Sequence, residues 1–183
     1  MPRGQPEQRL LRRSCEARLN ALGVRAPYDL TTLVTRVSAA RGRTIRLLPL
    51  VLDGPAADSC SGLWASTDTE DLIFIDPDAA GDYRNLIIAH ELAHIVCEHP
   101  ADLTISDAEL RQLAPTLDPN RVRLALRRTK YDTHVEREAE MLGSLILARA
   151  EAGTAIAVDD SAATLTTSGE ARAVLARLSQ VFR

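Results

Sequence analysis

The stretch Asn85-Leu86-Ile87-Ile88-Ala89-His90-Glu91-Leu92-Ala93-His94-Ile95-Val96-Cys97 decides how the chain is read. Its apolar residues are dense, it has no interior Gly or Pro, and Pro100 lies just beyond, which predicts a mostly buried helix ending near Glu98. On such a helix His90 and His94 are four apart, separated by about 40° in azimuth and about 6 Å in height. Both imidazoles can therefore face one ion, and Glu91, about 100° around from His90, is left to act on water. A buried imidazole needs a partner, and a single histidine on an apolar face reads as a hydrogen-bonded core residue. Two at ligand spacing with a glutamate between them read as a zinc site with its general base, the arrangement of a metallopeptidase.

Working outward, the 183 residues fit a domain of ordinary size, with 45% hydrophobic and 26% charged residues. Aromatic residues make up only 3%, so the core has to be built from aliphatic side chains and a base-stacking platform for nucleic acid is not expected. A net charge of -3 argues against an overall electrostatic footprint for DNA, RNA or anionic membrane and favours protein partners. Cys15, Cys60 and Cys97 are odd in number and far apart, so neither a disulfide framework nor a thiolate cluster is indicated. No secretion signal or apolar span is encoded, and a cytoplasmic protein with reduced thiols is expected.

Residues 1–6 read as a disordered start. Helical patterns follow over Glu7–Leu22, closed by Gly23, and after Pro27, where Leu30, Leu33, Val34 and Val37 form one stripe before Gly42. Thr44–Leu48, Ser61–Ser66 and Asp71–Ile75 read as strands, and Pro49 puts the end of the first at an edge or outside the sheet. Leu63 and Trp64 in the middle strand are candidates either for the core or for a substrate-binding edge. Further helices are expected over Asp107–Leu113 and Pro119–Lys130. The arginines of the second read as a solvated face rather than a DNA contact. A long helix from Asp132 or Thr133 to about Ala152 comes next. The expected fold is α+β: a mainly helical single metallopeptidase-like domain over residues 7–152, with a small three-stranded, mostly antiparallel sheet packed on the zinc helix. Residues 153–169 read as a loop or linker and 170–183 as a terminal helix.

A catalytic zinc takes three protein ligands and leaves a position for water. His99, about 180° from His90 on a continuing helix, does not serve, and Cys97 is a turn too far along. In Glu136-Arg137-Glu138-Ala139-Glu140, Glu136 and Glu140 share a face, so Glu136 can bind zinc while Glu140 accepts the outer N–H of a ligating histidine. Glu138 is expected in solvent. His134 leads the candidates for stabilising the oxyanion, ahead of Tyr131, Tyr83 and His99.

The segment Tyr83-Arg84-Asn85-Leu86-Ile87-Ile88-Ala89-His90-Glu91-Leu92-Ala93-His94, with His99 beyond and Ile73-Phe74-Ile75-Asp76 before it, resembles the histidine-motif core of the ImmA/IrrE family of gluzincin-like metallopeptidases. Glu136 to Gly143 is similar to that family's second, Glu-x-Glu-Ala-Asn helix, with Glu140 in place of Asn or Asp and Leu142 in place of Phe. Ile146-Leu147-Ala148-Arg149 stands where the family has Leu-Leu-Met-Pro, and the spacer from His94 to Glu136 is long. The resemblance implies a cytoplasmic regulatory zinc protease whose substrate is a protein, such as a helix-turn-helix repressor or an antitoxin. The rival expectation is a zinc-stabilised binding protein without turnover.

Overall fold

The computed structural model describes residues 4–49, 61–104 and 133–150. The helices expected over Asp107–Leu113 and Pro119–Lys130, Tyr131, the linker at 153–169 and the terminal helix at 170–183 lie outside these residues. The chain divides into two compact units, a helical unit and a sheet unit.

The helical unit holds α1 (Gly4–Ala21), α2 (Leu30–Arg41), α3 (Gly81–Val96) and α4 (Thr133–Arg149). Helix α1 starts two residues before Pro6, inside the segment expected to be disordered. Proline is tolerated in a first turn, where the amide it lacks has no intrahelical acceptor. Asp29 caps α2 by accepting the Thr32 amide at 2.8 Å and the Thr32 hydroxyl at 2.7 Å. Gly42 ends α2 at φ 66°, a left-handed turn that glycine adopts without Cβ strain. The stripe Leu30, Leu33 and Val37 is buried, as the periodicity requires.

Helix α3 is buried on most of its circumference and packs on α4, which also packs on α1. Small residues are buried on both helices, Ala89 and Ala93 on α3 and Ala139 and Gly143 on α4, and Gly143 lies against the backbone of Ala89 and His90. A Cβ built on Gly143 would lie 3.4 Å from both the Ala89 carbonyl oxygen and the His90 Cα. Tyr28 fastens the far end of α4: its hydroxyl donates to the Ile146 carbonyl at 3.1 Å and its amide to that of Arg149 at 3.3 Å.

The sheet unit holds β1 (Thr44–Pro49), β2 (Gly62–Ser66), β3 (Glu70–Ile75) and β4 (Leu103–Thr104) in the order β1-β3-β2-β4. The sheet is mixed rather than mostly antiparallel: β2 and β3 are antiparallel, but β1 pairs parallel with β3 and β4 parallel with β2. Only the β2–β3 pair is set by a local turn. There the Thr67 amide donates to the Glu70 carbonyl at 2.8 Å, and the Thr67 hydroxyl accepts the Glu70 amide at 2.9 Å. Strand β3, central and buried along most of its length, holds Asp71 in the interior. That carboxylate accepts the Trp64 indole N–H at 3.1 Å and faces the Arg43 guanidinium at 3.4 Å. Arg43 in turn donates to the Thr67 and Glu70 carbonyls, so one buried charge pair fixes the β2–β3 turn. Among the described residues strand β1 lies at one edge of the sheet with Pro49 on it, the first of the two placements that proline's missing donor allows. Among the described residues no helix is long and apolar enough to cross a membrane.

Candidate metal centre

Three side chains from two helices of the helical unit meet at one point. His90 and His94 extend from α3 with their Nε2 atoms 3.1 Å apart. Glu136, in the first turn of α4, brings Oε2 to 3.5 Å from His90 Nε2 and Oε1 to 3.8 Å from His94 Nε2. Donors 2.0–2.2 Å from a tetrahedral ion stand roughly 3.3 Å from each other, and the three distances bracket that spacing. His90, His94 and Glu136 are thus a group able to hold a metal ion. With side-chain exposures of 31% for His90 and 36% for Glu136, the group is open on one side, leaving room for a fourth ligand from solution.

Burial pushes both imidazoles toward the neutral form that donates a lone pair. His90 is lowered by desolvation, against which Glu136 and Glu140 act. His94 is pushed down to about 3, chiefly by burial and then by the neighbouring His90 and His99. The consequence for stability has a definite sign. The folded pKa lies below the unfolded value of 6.5, so the unfolded chain takes up the proton first. Stability is complete above about pH 6.5 and is lost as pH falls toward 3. At about 1.4 kcal/mol per pH unit, metal-stripped protein should be roughly 2 kcal/mol less stable at pH 5 than at pH 7. Urea unfolding at the two pH values measures this, and equal midpoints would refute the buried neutral imidazole.

Glu91 is buried on α3, about 100° from His90 and about 60° from His94. His134 is exposed in the first turn of α4, about 160° around the helix from Glu136. Tyr83 is exposed. Leu63 and Trp64 are buried in β2, with Trp64 tied to Asp71, so they are core side chains and correct the expectation of a substrate-binding edge there.

One expectation about the surroundings is reversed: Glu138, expected in solvent, is turned inward with 13% of its side chain exposed. Glu140, expected to support a ligating histidine, is exposed and acts on His90 through its charge. The inward side of α4 is marked by Ala139, Leu142, Gly143, Leu145 and Ile146. At 100° per residue, Glu136 and Glu138 flank the centre of that stripe by about 90° and about 70° on opposite sides, whereas Glu140 is about 130° away. The stripe was visible in the sequence and assigns Glu138 correctly.

The placement of His99 differs from that on a continuing helix. Helix α3 does not continue through it: Glu98 adopts φ 59°, the Glu98 amide donates to the Ile95 carbonyl at 3.1 Å and the His99 amide to that of His94 at 3.0 Å. This is a Schellman turn with glutamate in the left-handed position. It folds His99 back so that its Nδ1 lies 3.1 Å from His94 Nδ1, and its Nε2 lies 3.2 Å from Glu138 Oε2. Because a side chain in the left-handed region is strained, Glu98→Gly should raise stability by roughly 1 kcal/mol in denaturant unfolding. A loss instead would mean that the Glu98 side chain contributes more than its backbone strain costs.

Cys97, on the same turn, is buried, and its thiol is pushed up to about 12, first by burial and then by Glu138. It stays protonated. Cys15 on α1 is likewise raised by burial and Glu138. Comparison of the chain with protein-family models, with curated proteins and with solved structures returns no match. The functional reading therefore rests on the residues and their geometry.

Proposed function

We propose that the protein is a zinc-dependent endopeptidase of the ImmA/IrrE type, with zinc held by His90, His94 and Glu136. The observation that carries the reading is the convergence of two Nε2 atoms and one carboxylate within 3.1–3.8 Å at a site open on one side. Structural zinc sites close all four positions with protein ligands, while catalytic sites use three and leave one for water or substrate. The donor set of two neutral imidazoles and a carboxylate suits zinc, and both imidazoles are held neutral by burial.

Zinc bound there supplies Lewis acidity toward a scissile carbonyl and toward water. His90 and His94 donate their Nε2 lone pairs, and Glu136 contributes charge that offsets that of the cation. Glu91, one position along α3 from His90, takes the proton from the attacking water and delivers it to the leaving amine. His134 is given no part in the reaction. The substrate follows from the resemblance: a cytoplasmic protein partner, such as a helix-turn-helix repressor or an antitoxin.

The test is incubation of zinc-loaded protein with a degenerate peptide mixture, and separately with a helix-turn-helix protein encoded beside it. The expected result is cleavage that a chelator stops and added zinc restores. Intact peptides and partner in the presence of bound zinc would favour a zinc-stabilised binding protein without turnover.

A further inference from the structure

His94 has two ring nitrogens, and the structure engages both. Nε2 faces His90 and Glu136, while Nδ1 is 3.1 Å from Nδ1 of His99. His99 is itself engaged at both ends, since its Nε2 is 3.2 Å from Glu138 Oε2 and only 7% of its side chain is exposed. Behind Glu138, Arg18 of α1 brings Nε to 3.7 Å from Oε1. Cys15, also on α1, donates its thiol to the Glu138 carbonyl oxygen at 3.8 Å. A chain of side chains thus runs from the candidate metal position through α3 and the Schellman turn to α4 and α1.

Protons can be distributed along this chain in one way once His94 serves as a ligand. Metal ligation requires the lone pair on His94 Nε2, so the ring proton is on Nδ1 and is donated to His99 Nδ1. His99 must then carry its own proton on Nε2, where it meets the acceptor-only carboxylate of Glu138. Along the line from His94 through His99 to Glu138 each ring N–H then faces an acceptor, and the Arg18 guanidinium lies beside the Glu138 carboxylate. We propose that His99 and Glu138 are positioning residues for His94, fixing its tautomer and ring plane for metal binding through a histidine-to-carboxylate relay. The inference rests on the metal-site reading above and goes beyond its ligand set.

The same side chains permit one competing assignment. Cys97, His99 and Glu138 form a second group close enough to hold a cation. Three features disfavour it: the His99 nitrogens are already committed to His94 and Glu138, the Cys97 thiol is held protonated, and the Arg18 guanidinium lies beside the carboxylate that would bind the cation.

The decisive experiment uses the full-length zinc-loaded protein. Long-range proton–nitrogen correlation spectra should place the proton on Nδ1 of His94 and on Nε2 of His99, with one zinc per chain. By competition with a chromogenic chelator, His99→Leu and Glu138→Leu should each weaken zinc binding by ~10- to 100-fold. His99→Gln, which can accept from His94 and donate to Glu138, should restore most of the affinity. Circular dichroism checks that the variants fold, and the tautomer measurement needs no variant at all. Wild-type protein that binds no zinc sinks the metal-site reading and this relay with it. Wild type that binds one zinc, with His99 protonated on Nδ1 or with His99→Leu binding as tightly, overturns the relay alone. Two zinc ions per chain, one of them lost in Cys97→Ser, would assign the second group as a metal site and overturn the relay as well.

Discussion

Glu91→Gln is expected to keep its zinc and lose its peptidase activity. Glutamine preserves the size of the side chain and its place on α3, but it cannot take a proton from water, and removal of a positioned general base costs about 10²- to 10⁴-fold in rate. Glu91 is not one of the three groups that converge on the metal position, so zinc content and affinity should stay at wild-type values. The measurement is kcat on a cleaved peptide beside zinc content for the same preparation. Activity within a few-fold of wild type would show that the proton leaves by another route. Simultaneous loss of zinc would make Glu91 part of the metal's support instead.

The second large effect is expected from Gly143→Val, which should destabilise the helical unit by roughly 2–3 kcal/mol and release the metal. At position 143 α4 lies against the part of α3 that carries His90, and the atoms a side chain would meet there are backbone. A Cβ alone fits at 3.4 Å, so Gly143→Ala should be nearly neutral, the helix-propensity gain of about 0.5–1 kcal/mol offsetting the tight contact. Valine adds two γ-carbons beyond that Cβ and must push the helices apart. Since His90 and His94 stand on one helix and Glu136 on the other, separation opens the ligand set itself. Thermal unfolding and zinc affinity should fall together in the valine variant and stay together in the alanine variant. Stability lost with zinc affinity unchanged would uncouple helix packing from the site.

Much of this arrangement was legible in the residues because it depends on local periodicity. The histidine spacing on α3, the glutamate at the start of α4, the buried stripe of α2 and the left-handed Gly42 all follow from helix geometry acting within a few residues. Strand positions were also close, since β-rich runs bounded by turn residues are local signals. What escaped was non-local or set by a single dihedral. Nothing within β1 tells it to pair parallel with β3 in preference to β2, and β4, at two residues, has no period to detect. His99 was judged on a continuing helix, and one residue, Glu98, turning left-handed moved it from the opposite face to the back of His94. Glu138 is a different lesson. Centring α4 on its apolar residues instead of on the Glu136–Glu140 pair would have turned it inward. The spacing of Ala89 and Ala93 against Ala139 and Gly143 was likewise present as a signal for close helix approach.

The most direct test of the central claim is elemental analysis of protein purified without chelator or affinity metal, for the wild type and for His90→Ala, His94→Ala and Glu136→Ala. One zinc per chain in the wild type, falling toward zero in each variant while the fold is kept, is the predicted result. A wild type free of transition metal, or a zinc content indifferent to all three substitutions, would contradict a metal held by His90, His94 and Glu136.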